Sequence, residues 1–393
     1  MSEHIPVVVG AVRTPTGKFL SHLTSFTAPQ LGAIAIKEAV RRSAIDPATL
    51  DEVVMGNVVS AGVGQSPARQ AAIHADLPDD LPAFTVNKVC GSGLKAVMLA
   101  AQAIRAGDAQ AFVAGGMESM SNTPYLLTQA RTGYRMGDNK IVDAVVHDGL
   151  WCAFENIHMG EEAEIIAEKF GVTRAEQDSY SLHSHQKAAA ATAQGLFKDE
   201  IVPVEVKQKK GTLMVDTDEP VRGDTSMDAL TKLMPAFQEG GSVTAGNAPG
   251  LSDGASATVV VEQSLAQDQG LEVLARITGY ASAAITPRYI FAAPPFAVRR
   301  LLQRTGLKLS DFDLIEVNEA FAAQTLANGK ELDWDWSRVN ISGGAIALGH
   351  PIGSSGSRVL TTLIYALRRR GGGRGLATLC LGGGGAVAMS IEV

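Results

Sequence analysis

Short runs of β-branched residues alternate with stretches of helical periodicity along the first third of the chain. Residues 7–9 and 53–55 have the pattern of strands, and residues 31–42 between them space their apolar positions as a helix does. Another helical stretch precedes the apolar run at residues 111–114. Strands that alternate with helices in this order predict the α/β fold class.

Two distant stretches follow one scheme, which predicts an internal duplication. Residues 45–57 and 307–318 both carry an acidic turn followed by a short apolar run. Downstream, each copy reads strand, glycine-rich turn, helix, strand and Gly-Gly, ending at residues 115–116 and 382–383. Two such halves packed together would bring their matching turns close to one pseudo-twofold axis.

The character of the sequence changes between the two halves. Polar and methionine-containing segments fill residues 121–250, where Thr173 and Glu176 form the pattern of a capping box that opens an alanine-rich helix ending near Gly195. Long excursions of this kind carry function or assembly contacts. We therefore predict three units: an N-terminal half over residues 1–120 plus 251–270, an inserted loop domain over 121–250, and a C-terminal half over 271–393.

Composition narrows the class of protein. The 393 residues carry a net charge of −7 with both signs interspersed, so nucleic acid is not expected as a partner. No apolar run approaches the roughly 18 residues that span a bilayer, and none has the length of a signal-peptide core, so we expect a cytoplasmic protein without membrane association. Three scattered cysteines predict thiol chemistry in a reducing compartment.

Cys90 stands in the glycine-containing segment 87–93, between a predicted strand and a helix beginning near Leu94. Unpaired amides and the dipole at a helix N-terminus favour thiolate, so Cys90 is a candidate nucleophile. For an isolated cysteine, a small buried apolar side chain is the commoner interpretation.

Three residues of the second half are candidates for proton transfer and carbonyl polarisation. His350 lies in a glycine-rich turn followed by proline, where an imidazole can deprotonate a thiol or cap the next helix. Cys380 ends a predicted strand shortly before a glycine run, and it suits either an acid–base role or an ordinary core position. Asn318 follows an apolar run and can polarise a carbonyl oxygen, cap a helix, or do both.

Spacing disfavours two other kinds of site. The cysteines and histidines lack the paired spacings of zinc sites, so no metal site is expected. No Gly-x-Gly-x-x-Gly follows the first predicted strand, which argues against dinucleotide binding.

Taken together, segments 87–93, 318–321, 349–351 and 380–385 resemble the thiolase family, and the resemblance extends over residues 7–393. It implies the thiolase fold: duplicated α/β halves that form a layered αβαβα core, with an inserted loop domain. It also implies an acyltransferase that condenses two acetyl-CoA molecules reversibly to acetoacetyl-CoA, or cleaves a 3-ketoacyl-CoA with coenzyme A. Coenzyme A and acyl-CoA are then substrates, and no permanently bound cofactor is expected.

The resemblance also implies a role for each candidate. Cys90 would be acylated after activation by His350, and Cys380 would exchange the α-proton of acetyl-CoA. Asn318, through a water, would form one oxyanion hole together with His350, and the amides of Cys90 and Gly382 would form the other. The residues implied to contact substrate are His158, Met159, Arg222, Phe237, Ala245, Pro249, Ala320 and Phe321.

Four positions depart from the family pattern, and one of them is Met234, which replaces the usual arginine before Pro235. Pro249 stands where similar chains have a serine that contacts pantetheine, and Phe291 stands where biosynthetic members have a methionine–glycine segment beside the acyl pocket. Cys152 occupies a position expected to be acidic. The preferred acyl chain length is therefore left open.

Several functions remain open at this point. Acetyl-CoA acetyltransfer is preferred because residues 158–160 resemble the short-chain branch, and broad-chain 3-ketoacyl-CoA thiolysis in fatty-acid metabolism is the second choice. A decarboxylating ketoacyl synthase would lack Cys380, and an inactive CoA-binding scaffold would not need all four chemical residues. Because the family is generally oligomeric, a homo-oligomer is expected, either a dimer or, preferably, a tetramer.

Overall fold

The computed structural model describes residues 4–393 as one sheet-based core with helices on its faces. The strands are β1 (Pro6–Arg13), β2 (Gly17–Lys18), β3 (Glu52–Gly56), β4 (Ala83–Val86), β5 (Ala111–Ser119), β6 (Tyr125–Leu126), β7 (Val142–Asp143), β8 (Trp151–Cys152), β9 (Ile157–His158), β10 (Val204–Lys207), β11 (Thr212–Val215), β12 (Ser252–Glu262), β13 (Ala275–Ala284), β14 (Leu314–Val317), β15 (Arg374–Leu381) and β16 (Gly385–Glu392). The helices are α1 (Ala28–Ser43), α2 (Pro67–His74), α3 (Ser92–Ala106), α4 (Met159–Phe170), α5 (Arg174–Ala193), α6 (Met227–Thr231), α7 (Gln263–Asp268), α8 (Pro294–Thr305), α9 (Ala322–Leu332), α10 (Ala345–Leu348) and α11 (Ser355–Arg369). None of these helices combines the length and apolar character that crossing a bilayer requires.

The two halves share one topology, which confirms the predicted duplication. The N-terminal half has the strand order β4-β3-β5-β12-β1, and the C-terminal half has the order β14-β15-β16-β13. The place of β4 is taken in the second half by Val339, which forms a parallel bridge to Ile315 in β14. The inner pairs β3–β5 and β14–β15 are parallel, whereas β5–β12–β1 and β15–β16–β13 run antiparallel.

The acidic turns that suggested the duplication occupy equivalent places in the two halves. Each forms a short 3₁₀ turn, at Pro47–Thr49 before β3 and at Leu309–Asp311 before β14. The carboxylate of Asp46 accepts a hydrogen bond from the amide of Ala48, and that of Asp311 accepts one from the amide of Lys308. Because these hydrogen bonds join residues two or three positions apart, the two acidic turns can be recognised from the sequence alone.

Helices fill the space between and outside the sheet halves, which confirms the layered αβαβα core. The central layer is the pair α3 and α11, whose apolar faces meet around Leu94 and Leu360. The helices pack closely because Gly356 faces α3, where an added Cβ would lie 2.3 Å from the amide nitrogen of Leu94. Outer helices α1 and α8 cover the two sheet halves through separate apolar clusters. The halves also join directly through a short ladder between β1 and β13.

The insertion lies between β5 and β12, where the second half has only the turn Gly382–Gly384 between β15 and β16. Thr173 caps α5 as predicted: its hydroxyl accepts a hydrogen bond from the amide of Glu176, and α5 ends at Ala193. Helix α4 was not predicted. On this topology we propose the division into residues 1–120 plus 251–270, 121–250 and 271–393.

Candidate active site

One cavity of about 400 Å³ lies where the two halves meet the insertion. Cys90 of the first half and His350 and Cys380 of the second half all line this cavity. Both cysteines are free thiols. Two sulfurs and one imidazole, contributed by both halves of the duplication, are thus brought to a single enclosed space.

Cys90 sits on a sharp elbow between β4 and α3. Val89 adopts a left-handed conformation (φ +47°), which costs a β-branched residue about 1–2 kcal/mol. Its amide donates a hydrogen bond to the Asn87 side chain (3.0 Å), and its carbonyl accepts one from the hydroxyl of Ser92 (2.6 Å). An added Cβ at Gly91 would lie 2.2 Å from a terminal methyl group of Leu381, so a larger residue would have to displace that buried side chain. Strain held by such contacts is typical of functional sites.

At Cys90, burial opposes the thiolate that the helix N-terminus is expected to favour. Desolvation by the surrounding protein raises the pKa of Cys90 to about 12. The amides of Cys90 and Gly382 lie close enough to the sulfur to lower this pKa, but burial outweighs them. These are the two amides that the family resemblance assigns to an oxyanion hole.

His350 is held in the tautomer that a general base requires. Its Nδ1 lies 2.6 Å from the hydroxyl of Ser355, and that hydroxyl donates its own proton to the carbonyl of Pro351 (2.9 Å). Nδ1 must therefore carry the proton, which leaves the lone pair on Nε2. Burial, and secondarily the charge of Arg358, lower the pKa of His350 to about 3. His350 does not cap a helix, because Ser354 occupies the N-cap of α11.

Cys380 is a fully buried residue in β15, near its carboxyl end. Burial and the proximity of Cys90 raise the pKa of the Cys380 thiol well above its ordinary value. At rest this residue is therefore a proton donor, not a thiolate.

Asn318 lies directly behind His350 and does not itself line the cavity. Its Nδ2 is 3.5 Å from Nε2 of His350, and its buried Oδ1 has no hydrogen-bond partner among residues 4–393. It is not a helix N-cap, because α9 begins at Ala322 with Phe321 at the cap. A buried amide oxygen without a protein partner is a position at which proteins commonly hold a water.

The predicted substrate contacts divide into residues inside and outside the cavity wall. Arg222 does not line the cavity, and its Nη2 lies 3.5 Å from the carbonyl of Ala245, which does. Arg222 thus contacts a residue of the cavity wall without lining the cavity itself. The predicted contacts that line the cavity are His158, Met159, Phe237, Ala245, Pro249, Ala320 and Phe321.

His158 combines a wall position with a structural role. Its Nδ1 accepts a hydrogen bond from the amide of Gly160 (3.0 Å) and so caps α4. Its ring stacks on Phe237 with 4.7 Å between the ring centroids. Gly160 is required beneath this stack, because an added Cβ would lie 2.1 Å from the Phe237 ring.

Phe291 forms part of the cavity wall. Its ring packs edge to face on Phe321 with 5.2 Å between the centroids, and the residue is 3 % exposed. Cys152 lies in the same apolar cluster but does not line the cavity. Sequence reasoning missed Ser355, because a serine five residues after a histidine carries no local signal of contact.

The described residues, 4–393, contain no group of three or more histidine, cysteine, aspartate or glutamate side chains arranged to hold a metal ion.

Comparisons with known proteins agree over the whole chain. The family described as "Thiolase, N-terminal domain" matches residues 6–264, and "Thiolase, C-terminal domain" matches residues 271–393. Acetyl-CoA acetyltransferases of Pseudomonas aeruginosa and Escherichia coli are each 54% identical to the chain, with 98% of both partners covered. The crystal structure of the Bacillus anthracis acetyl-CoA acetyltransferase superposes with a TM-score of 0.97 at 42% identity, covering 100% of this chain and 99% of that one. The chain belongs to the thiolase family.

Proposed function

We propose that the protein is an acetyl-CoA acetyltransferase that condenses two acetyl-CoA molecules reversibly to acetoacetyl-CoA through an acyl-Cys90 intermediate. The observation that carries the proposal is that Cys90, His350 and Cys380 line one cavity. Full-length relatives that bear the name acetyl-CoA acetyltransferase support the choice of substrate.

The first half-reaction acylates Cys90. Nε2 of His350 takes the thiol proton of Cys90 as the sulfur attacks the thioester carbonyl. The amides of Cys90 and Gly382 stabilise the oxyanion that forms. Collapse of the tetrahedral intermediate expels coenzyme A, which leaves with the proton from His350. A neutral thiol–imidazole pair suits this sequence, because it places no charge in the cavity before substrate arrives.

The second half-reaction makes the carbon–carbon bond. In condensation, Nε2 of His350 first takes the thiol proton of Cys380, and the Cys380 thiolate then takes an α-proton from the second acetyl-CoA. The resulting enolate attacks acyl-Cys90 and displaces the Cys90 thiolate, which recovers a proton from His350. In thiolysis, the protonated thiol of Cys380 returns a proton to the departing enolate. Asn318, through a bound water, and Nε2 of His350, which carries the proton taken from a thiol at this stage, stabilise the enolate oxygen.

The wall formed by Phe291 and Phe321 favours short acyl groups. These rings pack edge to face against each other, so an acyl chain can extend in that direction only by displacing one of them. We therefore prefer acetoacetyl-CoA to longer 3-ketoacyl-CoA as substrate. Arg222, outside the wall and next to Ala245, is positioned to meet the nucleotide end of coenzyme A.

We also propose a homotetramer that acts in the cytoplasm on acyl-CoA metabolites of fatty-acid metabolism, with no nucleic-acid partner, membrane association or permanently bound cofactor. Strand β4 ends the sheet and carries the exposed Phe84, so a second copy can extend the sheet there. The β6–β7 hairpin exposes Tyr125, Met136 and Ile141, a second apolar surface for assembly. Light scattering coupled to gel filtration tests the number of copies.

Thiolysis assays test the proposed function. Purified protein is incubated with coenzyme A and either acetoacetyl-CoA or 3-ketoacyl-CoA of six to ten carbons, and Cys90→Ala serves as the control. We expect kcat/KM to be highest for acetoacetyl-CoA and to fall with chain length. Equal rates on long chains would favour the broad-chain thiolase, and no cleavage of any substrate would exclude both.

A further inference from the structure

Glu118, in β5, is a buried carboxylate surrounded by hydrogen-bond donors. Its Oε1 accepts hydrogen bonds from Asn57 Nδ2 (2.6 Å) and the amide of Val59 (3.2 Å). Its Oε2 accepts from the amides of Val58 (3.1 Å) and Gly353 (2.9 Å). Gly353 belongs to the other half of the molecule and follows His350 by three residues. Glu118 therefore ties the His350 segment to the N-terminal half.

Glu319, directly after β14, is a second buried carboxylate with the same pattern of contacts. Its Oε1 accepts from the hydroxyl of Tyr180 (2.7 Å) and from Asn340 Nδ2 (2.8 Å). Its Oε2 accepts from the hydroxyl of Ser184 (2.8 Å) and the amide of Ile346 (3.0 Å). Ile346 precedes His350 by four residues. Glu319 therefore ties the same segment to the insertion and to β14.

Glycines allow both carboxylates to reach the chain on either side of His350. An added Cβ at Gly344 would lie 2.2 Å from the carboxyl carbon of Glu319. An added Cβ at Gly353 would lie 3.0 Å from Oε2 of Glu118 and 2.6 Å from the carbonyl of Met117. The backbone on either side of the imidazole thus approaches a carboxylate more closely than a side chain would permit.

We propose that Glu118 and Glu319 are positioning residues for His350: they hold the two ends of segment 346–353 and so fix the imidazole against the Cys90 thiol. The inference rests on the proposed function, in which His350 is the base. Neither carboxylate lines the cavity, so each acts through the backbone amides of Ile346 and Gly353 and not on substrate.

The donors around Glu118 show which protonation state this arrangement fits. Burial raises the pKa of Glu118 to about 7, while the amides of Gly353, Val58 and Val59 lower it. All four of its contacts are donors, so the ionised form is the one that satisfies them. A neutral amide side chain would turn an NH₂ group toward at least one donor and lose that contact.

Substitution to glutamine tests the proposal, with a buried carboxylate elsewhere as matched control. Glu164 also accepts four hydrogen bonds, from the amide and hydroxyl of Ser242 and the amide of Val243, but it does not contact segment 346–353. The variants are Glu118→Gln, Glu319→Gln and Glu164→Gln, with His350→Ala as reference. Each is measured for thiolysis kcat and KM, the rate of Cys90 alkylation by iodoacetamide, and melting temperature.

We expect Glu118→Gln and Glu319→Gln to lose about 10- to 100-fold in kcat, because displacing a catalytic group by about 1 Å has effects of this size. Alkylation of Cys90 should slow in parallel, and KM should change little. Glu164→Gln should lower the melting temperature without either rate loss. If all three variants lose kcat equally at matched melting temperature, the two carboxylates have only a structural role and the proposal is overturned.

Two further outcomes separate this proposal from the proposed function. Normal kcat in Glu118→Gln and Glu319→Gln beside an inactive His350→Ala would reject the positioning role and leave the function standing. An active His350→Ala would reject the assigned base itself. Should the glutamine variants not fold, Tyr180→Phe removes one donor from Glu319 and should slow kcat and alkylation about fivefold. Unchanged rates in Tyr180→Phe would overturn the role of Glu319.

Discussion

The two halves of the molecule share one topology but contribute different chemistry. In the first half, the turn before the central helix α3 carries Cys90, the nucleophile that we propose. In the second half, the turn before the equivalent helix α11 carries His350, the base that we propose, and the strand after that helix carries a second thiol, Cys380. Duplication thus supplied two equivalent turns at the centre, and the halves then differ in what those turns hold.

Burial shifts the pKa values of Cys90 and His350, which belong to different halves, in opposite directions. Burial raises the pKa of Cys90 to about 12 and lowers that of His350 to about 3. Both groups are therefore neutral at pH 7. Burial thus favours the neutral thiol of Cys90 and the neutral imidazole of His350.

The largest effect expected is from Cys90→Ala. Because the acyl group is carried on this sulfur, the variant should lose at least about 10⁴-fold in both half-reactions. Exchange of labelled coenzyme A into acetyl-CoA reports the first half-reaction, and acetoacetyl-CoA formation reports the whole. Residual exchange at a tenth of the original rate would show that the acyl group is carried elsewhere.

Cys380→Ser should affect only one of the two half-reactions, which distinguishes the role of Cys380 from that of Cys90. Condensation should fall about 10²- to 10⁴-fold through loss of acid–base catalysis. Exchange of coenzyme A, which needs only Cys90 and His350, should stay within about tenfold of the original rate. Equal losses in the two assays would contradict the division of labour between the two thiols.

The pH dependence of stability distinguishes the contribution of His350 from that of Cys90, and it can be measured without substrate. Since the folded pKa of His350 is depressed from 6.5 to about 3, the unfolded chain takes up this proton first as pH falls below about 6.5. Stability is then lost, by about 2 kcal/mol between pH 7 and 5 from this group. The free energy of unfolding of His350→Asn, measured in urea, should therefore fall less between pH 7 and 5 than that of the unsubstituted protein.

The pKa shift of Cys90 changes the pH dependence of stability in the opposite direction. Its folded pKa is raised from 9.0 to about 12, so the unfolded chain releases this proton first as pH rises above about 9. Stability should therefore fall on the alkaline side, and Cys90→Ala should remove that contribution. An unchanged alkaline slope in the variant would argue against desolvation of this thiol.

Ser355→Ala should have the smallest effect. It removes the acceptor of the Nδ1 proton of His350 but leaves the imidazole in place. Loss of one hydrogen bond of ordinary strength predicts about a 5- to 10-fold fall in kcat. Ser355→Thr keeps the hydroxyl and serves as the control, and a fall equal to that of His350→Ala would show a larger role than orientation.

Local signals in the sequence revealed the duplication, the α5 cap and the elbow at Cys90. The acidic turns and the Thr173 capping box act within a few residues, so their pattern is readable along the chain. The roles of Ser355, Glu118 and Glu319 depend on contacts that only the fold creates, such as that between Glu118 and Gly353, 235 positions apart. The state of the Cys90 thiol also could not be read, because burial, which outweighs the helix N-terminus, is a property of the whole fold.

Strand β12 has a consequence for how the chain is made. It lies between β1 and β5 in the sheet, yet it follows the insertion in sequence. During synthesis on the ribosome, β1 and β5 must wait with unpaired edges until residue 262 has emerged. Nascent chains shorter than this therefore expose the strand edges of an incomplete sheet, a condition that favours aggregation.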